Sequence, residues 1–122
     1  MQIVIENPLL RRKYPSDGSI NAVMDTGYQG FLSVPESIFK HLHLHRLVTD
    51  KRRISLANGA FSNTRGCYAS VQIPHLSMKI DGFVETFAGL DEILLGTEAL
   101  LETKIVLDYC AKRVKLEKCT TK

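Results

Sequence analysis

A mainly β fold is predicted by three observations: short apolar runs with period-two alternation recur along the chain, turn-forming pairs interrupt them at close intervals, and only two stretches carry a helical pattern. Ile3 and Ile5 alternate with Gln2, Val4 and Glu6, which predicts an opening strand over Met1 to Glu6, ended by Asn7-Pro8. Leu9 to Lys13 reads as a second short extended piece. Tyr14-Pro15-Ser16-Asp17-Gly18 is a turn, because Pro fixes one backbone angle and Gly accepts angles that other residues resist. Ser19 to Met24 then runs as a strand into Asp25, and Gly30 to Val34 returns as another. A helix is predicted from Pro35 to Leu42: Ser33 and Glu36 are spaced as a capping pair, Pro35 suits the first turn, and Ile38, Phe39 and Leu42 share one face.

Val48 to Arg53 reads as a polar connection, with Lys51-Arg52-Arg53 as solvated surface. Ile54 to Ser62 is a strong hairpin signal, because Asn58-Gly59 at its centre can take the positive backbone angles of a turn that matches strand twist. On these residues alone it is an ordinary surface hairpin. Cys67 to Ile73 alternates as a half-buried strand and stops at Pro74-His75, while Leu76 to Ile80 and Gly82 to Phe87 predict a second hairpin around Asp81-Gly82. Glu92 to Leu95 leads into Gly96, and Thr97 to Leu101 reads as a short helix with Leu100 and Leu101 facing inward. Lys104 to Tyr109 and Arg113 to Glu117 form a last strand pair. One domain over residues 1–117 is expected, with 118–122 as a frayed tail.

Composition narrows the function classes. At 122 residues, 44% apolar and 24% charged, the chain has a soluble globular profile and is long enough to bury a core without disulfides or metals. No run of apolar residues is long enough to predict a membrane-spanning helix, and Met1 to Glu6 lacks the basic start and apolar stretch of a signal peptide, so cytoplasmic residence is the expectation. Cys67, Cys110 and Cys119 are odd in number and lack metal-type spacing, which argues against a disulfide framework and against zinc. The formal charge of +3 is modest, so neither nucleic acid nor membrane is an expected partner. His41-Leu42-His43-Leu44-His45 invites a metal reading, but with no acidic or cysteine partner close by, solvent-facing imidazoles are the better one. No metal or organic cofactor is expected.

One stretch asks for an explanation. Ala22-Val23-Met24-Asp25-Thr26-Gly27 carries a carboxylate out of an apolar run, and Gly30-Phe31-Leu32 follows at once. Asp is rarely buried without a partner. Either Asp25 is a turn residue that accepts hydrogen bonds from its own backbone, or it is a catalytic carboxylate on a rigid, water-poor platform.

Together with Ile93-Leu94-Leu95-Gly96 about seventy residues later, this segment resembles the paired signature of the retroviral-type aspartic proteases, in the manner of their cellular bacterial and archaeal members. The resemblance covers residues 1–117 and implies a closed, retropepsin-like acid-protease half-barrel with two short helices, one lobe per chain. It further implies an aspartic endopeptidase. Hydrolysis by carboxylates needs two of them, one ionised and one protonated, and the chain offers a single Asp-Thr-Gly, since Asp17-Gly18 and Asp81-Gly82 lack the preceding apolar strand and the Thr. A symmetric homodimer supplies the second Asp25.

By the same resemblance, Asp25, Thr26 and Gly27 form the catalytic loop, with Thr26 bonding across the axis and Gly27 admitting the substrate backbone. Asn58 and Gly59 sit near the tip of a flap. An extended peptide or protein substrate lies against Tyr28, Leu56, Asn58, Gly59, Phe61 and Leu95, which favours apolar residues beside the cleaved bond, and Gly96 supports the loop from below. Tyr28 and Gln29 differ from the small residue and Asp of the retroviral enzymes, and Thr97 stands where those enzymes carry Arg, whereas Glu98 fits cellular members. Two rival readings are a peptide-binding or dimerisation module without turnover, and an unrelated small β domain.

Overall fold

The computed structural model describes residues 1–55, 59–101 and 103–119. The alternating segments become strands: β1 (Gln2–Asn7), β2 (Arg12–Tyr14), β3 (Ile20–Asn21), β4 (Val23–Met24) and β5 (Leu32–Ser33) precede the helix α1 (Glu36–His41). Then come β6 (Asp50–Ser55), β7 (Phe61–Ile73), β8 (Met78–Thr86), β9 (Leu94–Leu95), the helix α2 (Thr97–Leu100), β10 (Thr103–Asp108) and β11 (Arg113–Lys118). Among the described residues, nine strands form one sheet in the order β2-β1-β7-β8-β5-β9-β4, with β3 also pairing β1 and β6 pairing β7. The sheet curls into a half-barrel, so the fold is mainly β with two short helices, as the sequence predicts. Inside lies one apolar cluster that includes Ile3, Ile5, Leu32, Phe39, Val84 and Leu95. Burying each such side chain contributes about 1.5–3 kcal/mol.

Five local expectations are corrected. The strand expected over Ser19 to Met24 changes partner at the buried Ala22: β3 pairs antiparallel with β1, and β4 pairs parallel with β9. The capping pair does not form, because Ser33 is committed to β5 and Pro35 occupies the N-cap without a side-chain bond. The connection expected over Val48 to Arg53 contains most of a strand, because Asp50 to Ser55 pair residue by residue with Gly66 to Phe61. Asp81-Gly82 is not a turn: β8 is continuous through it, and the reversal from β7 occurs at a 3-10 turn over Pro74–Leu76. Gly82 is needed there because a Cβ would overlap the Phe31 ring packed on it. Leu100 is buried, but Leu101 lies past the end of α2 and is 76% exposed.

The histidine tract follows the burial of its leucines. Leu42 and Leu44 are wholly buried, which turns His41 and His45 outward and leaves His43 half-buried, in a left-handed conformation at φ 57°. The final hairpin stands as its own two-stranded sheet, β10 with β11, and Leu116 ties it to the core. No helix among the described residues is long and apolar enough to cross a membrane.

Candidate active site

Asp25 leaves β4 at a point where the chain is held from below by a strand of only two residues. β9 pairs parallel with β4, Val23 against Leu94 and Met24 against Leu95, and antiparallel with β5, Leu32 against Leu95. The strands entering and leaving the Asp25 loop are thus joined through β9. Backbone bonds close the loop onto the same segment: the Asp25 N–H donates to the Leu95 carbonyl at 2.9 Å, Thr97 N–H to Tyr28 at 2.9 Å, Glu98 N–H to Gly30 at 3.1 Å and Gly96 N–H to Phe31 at 2.9 Å. Gly96 allows this approach, since a Cβ there would lie 2.7 Å from the Gly30 carbonyl carbon and closer still to its oxygen.

The Asp25 carboxylate is half-buried, and its Oδ1 accepts the Gly27 N–H at 2.9 Å. The turn does not use the second oxygen. Above the loop opens a cleft of about 590 Å³, bordered by Asp25, Gly27 and Tyr28 on one side and by Arg52, Arg53 and Ile54 of β6 on the other. Behind its floor lies a polar cluster. Glu85 of β8 is wholly buried; it accepts the Tyr28 hydroxyl and Arg52 Nη2 on one oxygen, and Arg52 Nε at 2.8 Å on the other.

Burial pushes the Glu85 carboxyl up, but the bonds from Arg52, Tyr28 and Thr64 outweigh it and hold the group below its ordinary value. Glu85 therefore stays ionised. The Tyr28 phenol is pushed well up, first by burial and then by its bond to Glu85, and stays neutral. Arg52 is held charged more firmly by Glu85. A buried carboxylate thus ties the Asp25 loop, through Tyr28, to the strand that forms the far wall of the cleft.

The structure gathers part of the set read from the sequence. Asp25, Gly27 and Tyr28 border one cleft, with Thr26 exposed beside them. Tyr28 points its hydroxyl at Glu85. Leu95 is corrected: it is wholly buried, because its side chain faces the core opposite Leu32, and its neighbour Leu94 borders the cleft. Phe61 opens β7, is 61% exposed, and carries the Arg53 guanidinium 4.3 Å from its ring centroid. Gly59 takes φ 83° in the loop between β6 and β7. Leu56 and Asn58 lie outside the described residues.

The sequence matches no family model. A protein of Archaeoglobus fulgidus, known as an uncharacterized protein, is 48% identical over 119 residues, covering 98% of this chain and 93% of the archaeal one. The chain belongs to the family of that archaeal protein. Among solved structures, it is similar to the retroviral protease-like domain of Ddi1 from Leishmania major, at 16% identity and a TM-score of 0.48, over 80% of this chain and 78% of that one.

Sequence reasoning missed two residues that this family member uses to build the cleft, Arg52 and Glu85. Arg52 sat in a basic cluster that looked solvated. Glu85 occupied a polar position in an alternating strand. One signal pointed to it: Gly82-Phe83-Val84-Glu85-Thr86-Phe87 is an acid inside an apolar run, the same anomaly that singled out Asp25.

Proposed function

We propose that this protein is an aspartic endopeptidase that works as a homodimer, with Asp25 of each chain forming the catalytic dyad. The observation that carries the reading is the closure of the Asp25 loop onto β9 and Gly96 by backbone hydrogen bonds, at the foot of a cleft walled by the β6–β7 hairpin. A reacting carboxylate gains most from a platform whose position is fixed before substrate arrives. In a two-fold pair the dyad shares one proton. The ionised member takes a proton from the attacking water, the protonated one hydrogen-bonds the peptide carbonyl, and the leaving nitrogen is then protonated from the dyad. The substrate binds extended, by strand addition between the Asp25 loops and the hairpins.

A peptide-binding module without turnover is the second reading, favoured by the bond from Gly27 N–H to Asp25 Oδ1, which is the ordinary use of an Asp before a glycine turn. A mixed peptide library, offered to wild type and to Asp25→Asn over a range of protein concentrations, separates the two. The endopeptidase reading expects cleavage by wild type alone, specific activity that rises with concentration as chains pair, and a bell-shaped profile on the acidic side. A folded, dimeric wild type that cuts nothing would leave the binding module.

A further inference from the structure

The wall of the cleft facing Asp25 is not the apolar surface expected from Leu95 and Phe61. Leu95 is in the core, and the Phe61 ring is covered by a guanidinium. That wall is the strand β6, whose residues Arg52, Arg53, Ile54 and Ser55 all border the cleft; as neighbours along the strand, Arg52 and Arg53 leave it on opposite faces and flank the cleft from either side of its edge. Each guanidinium is held in place. Arg52 is fixed through Nε and Nη2 by the wholly buried Glu85, with the Phe83 ring centroid 5.8 Å from its guanidinium carbon. Its side chain is nevertheless 40% exposed, and Glu85 leaves the Nη1 donors unused. Arg53 is held by the Phe61 ring, and among the described residues it makes no salt bridge.

A guanidinium already held by a buried acid or an aromatic face loses little freedom when a ligand arrives, and its planar donors match a carboxylate. Glu85 already balances the charge of Arg52, so among the described residues that border the cleft Arg53 is the cation without an acid of its own, and Arg52 adds its free Nη1 donors. We propose that the β6 wall is a carboxylate subsite, selecting peptides that carry an acidic group beside the cleaved bond. This rests on reading the cleft as a peptide site. The carboxylate comes either from an Asp or Glu side chain or from the free end of a peptide.

The test uses pairs of peptides, capped at both ends and differing only by Glu or Gln at successive positions around the cut, together with a neutral-side-chain peptide that keeps its free carboxyl terminus. Cleavage is measured with wild type, and binding of the same labelled peptides with Asp25→Asn. The Glu peptide is expected to be favoured about fivefold at one position or more, the ratio set by a partly exposed ion pair. Arg53→Glu, an exposed change whose folding is checked by thermal unfolding, is expected to invert that ratio. Preference for the free-terminus peptide alone assigns the carboxylate to a chain end. Equal handling of Glu and Gln peptides with no gain from a free end overturns the subsite, as does a preference that survives Arg53→Glu. Acid-selective binding without any cleavage would end the endopeptidase reading and leave the subsite standing; no binding of any peptide would end the subsite.

Discussion

The floor of the cleft and the carboxyl-terminal hairpin are built in opposite ways. β4, β5 and β9 are two residues each, yet they are crossed by two parallel pairings, β4 with β9 and β5 with β8, an antiparallel pairing of β5 with β9, and four backbone bonds from the Asp25 loop and its partner segment. β10 and β11 form an unbroken ladder of six pairs, yet Leu107 and Val114 are more than half exposed and Leu116 supplies the link to the core. Length and regularity of a strand therefore say little about how firmly its residues are held. What fixes a side chain is the number of independent elements that meet at its backbone, and there the shorter strands have the advantage.

Substitutions can break this contrast, beginning at the floor. Gly96→Val sets a side chain against the Gly30 carbonyl, which is backbone and cannot swing aside, so a loss of about 3 kcal/mol in urea unfolding is expected, with loss of Asp25-dependent cleavage. Wild-type stability in that variant would mean that the floor yields as easily as the hairpin. Arg52→Ala strips the buried Glu85 of its cation; the expected cost is about 2 kcal/mol, under the full value for a buried pair because Arg52 is partly exposed.

Titration sharpens the same point. The Glu85 carboxyl lies lower in the folded chain than its ordinary 4.5, so its contribution is complete above that value and is lost as the pH falls through the folded one. Unfolding free energies of wild type and Glu85→Gln, measured from pH 6 downward, should therefore converge in acid, and parallel curves would refute the assignment. The smallest effect belongs to the hairpin. Leu107→Ser, at an exposed position of β10, should change unfolding by no more than about 0.5 kcal/mol, and a change of several times that would reveal packing as dense as at the floor.

The pieces legible in the sequence were those whose cause is local. Asp25-Thr26-Gly27 and Leu95-Gly96 stand out because an acid or a glycine interrupts an apolar run, and the β10–β11 pair because alternation and turn residues are close together; of the β6–β7 pair, only the stretch from Ile54 to Ser62 carried that signal, since the charges of Asp50 to Arg53 read as a connection. Tyr28, Arg52 and Glu85 were not readable as a unit. They are far apart in the chain, and although an acid in an apolar run marks Glu85, nothing local names its partners; only the folded sheet brings the Tyr28 hydroxyl and the Arg52 guanidinium onto it. Gly82 misled for a related reason. Its partner is the Phe31 ring, fifty-one residues earlier, and not its own turn. Leu94 and Leu95 show the limit of pattern alone: two adjacent leucines are alike as letters, and one residue of register decides which of them meets the core.

The two-residue β9 also sets a timetable. Asp25 is synthesised about seventy residues before the backbone that positions it, which belongs to Leu95, Gly96, Thr97 and Glu98. Such a contact forms only after a long loop has closed, and it cannot form before that part of the chain exists. A polypeptide released or cleaved short of β9 retains every residue of the Asp-Thr-Gly loop and its tie to Glu85, but none of the backbone bonds from Leu95 to Glu98. Order at this carboxylate thus waits on a strand that follows it by about seventy residues, which makes β9 a late check on the loop it supports.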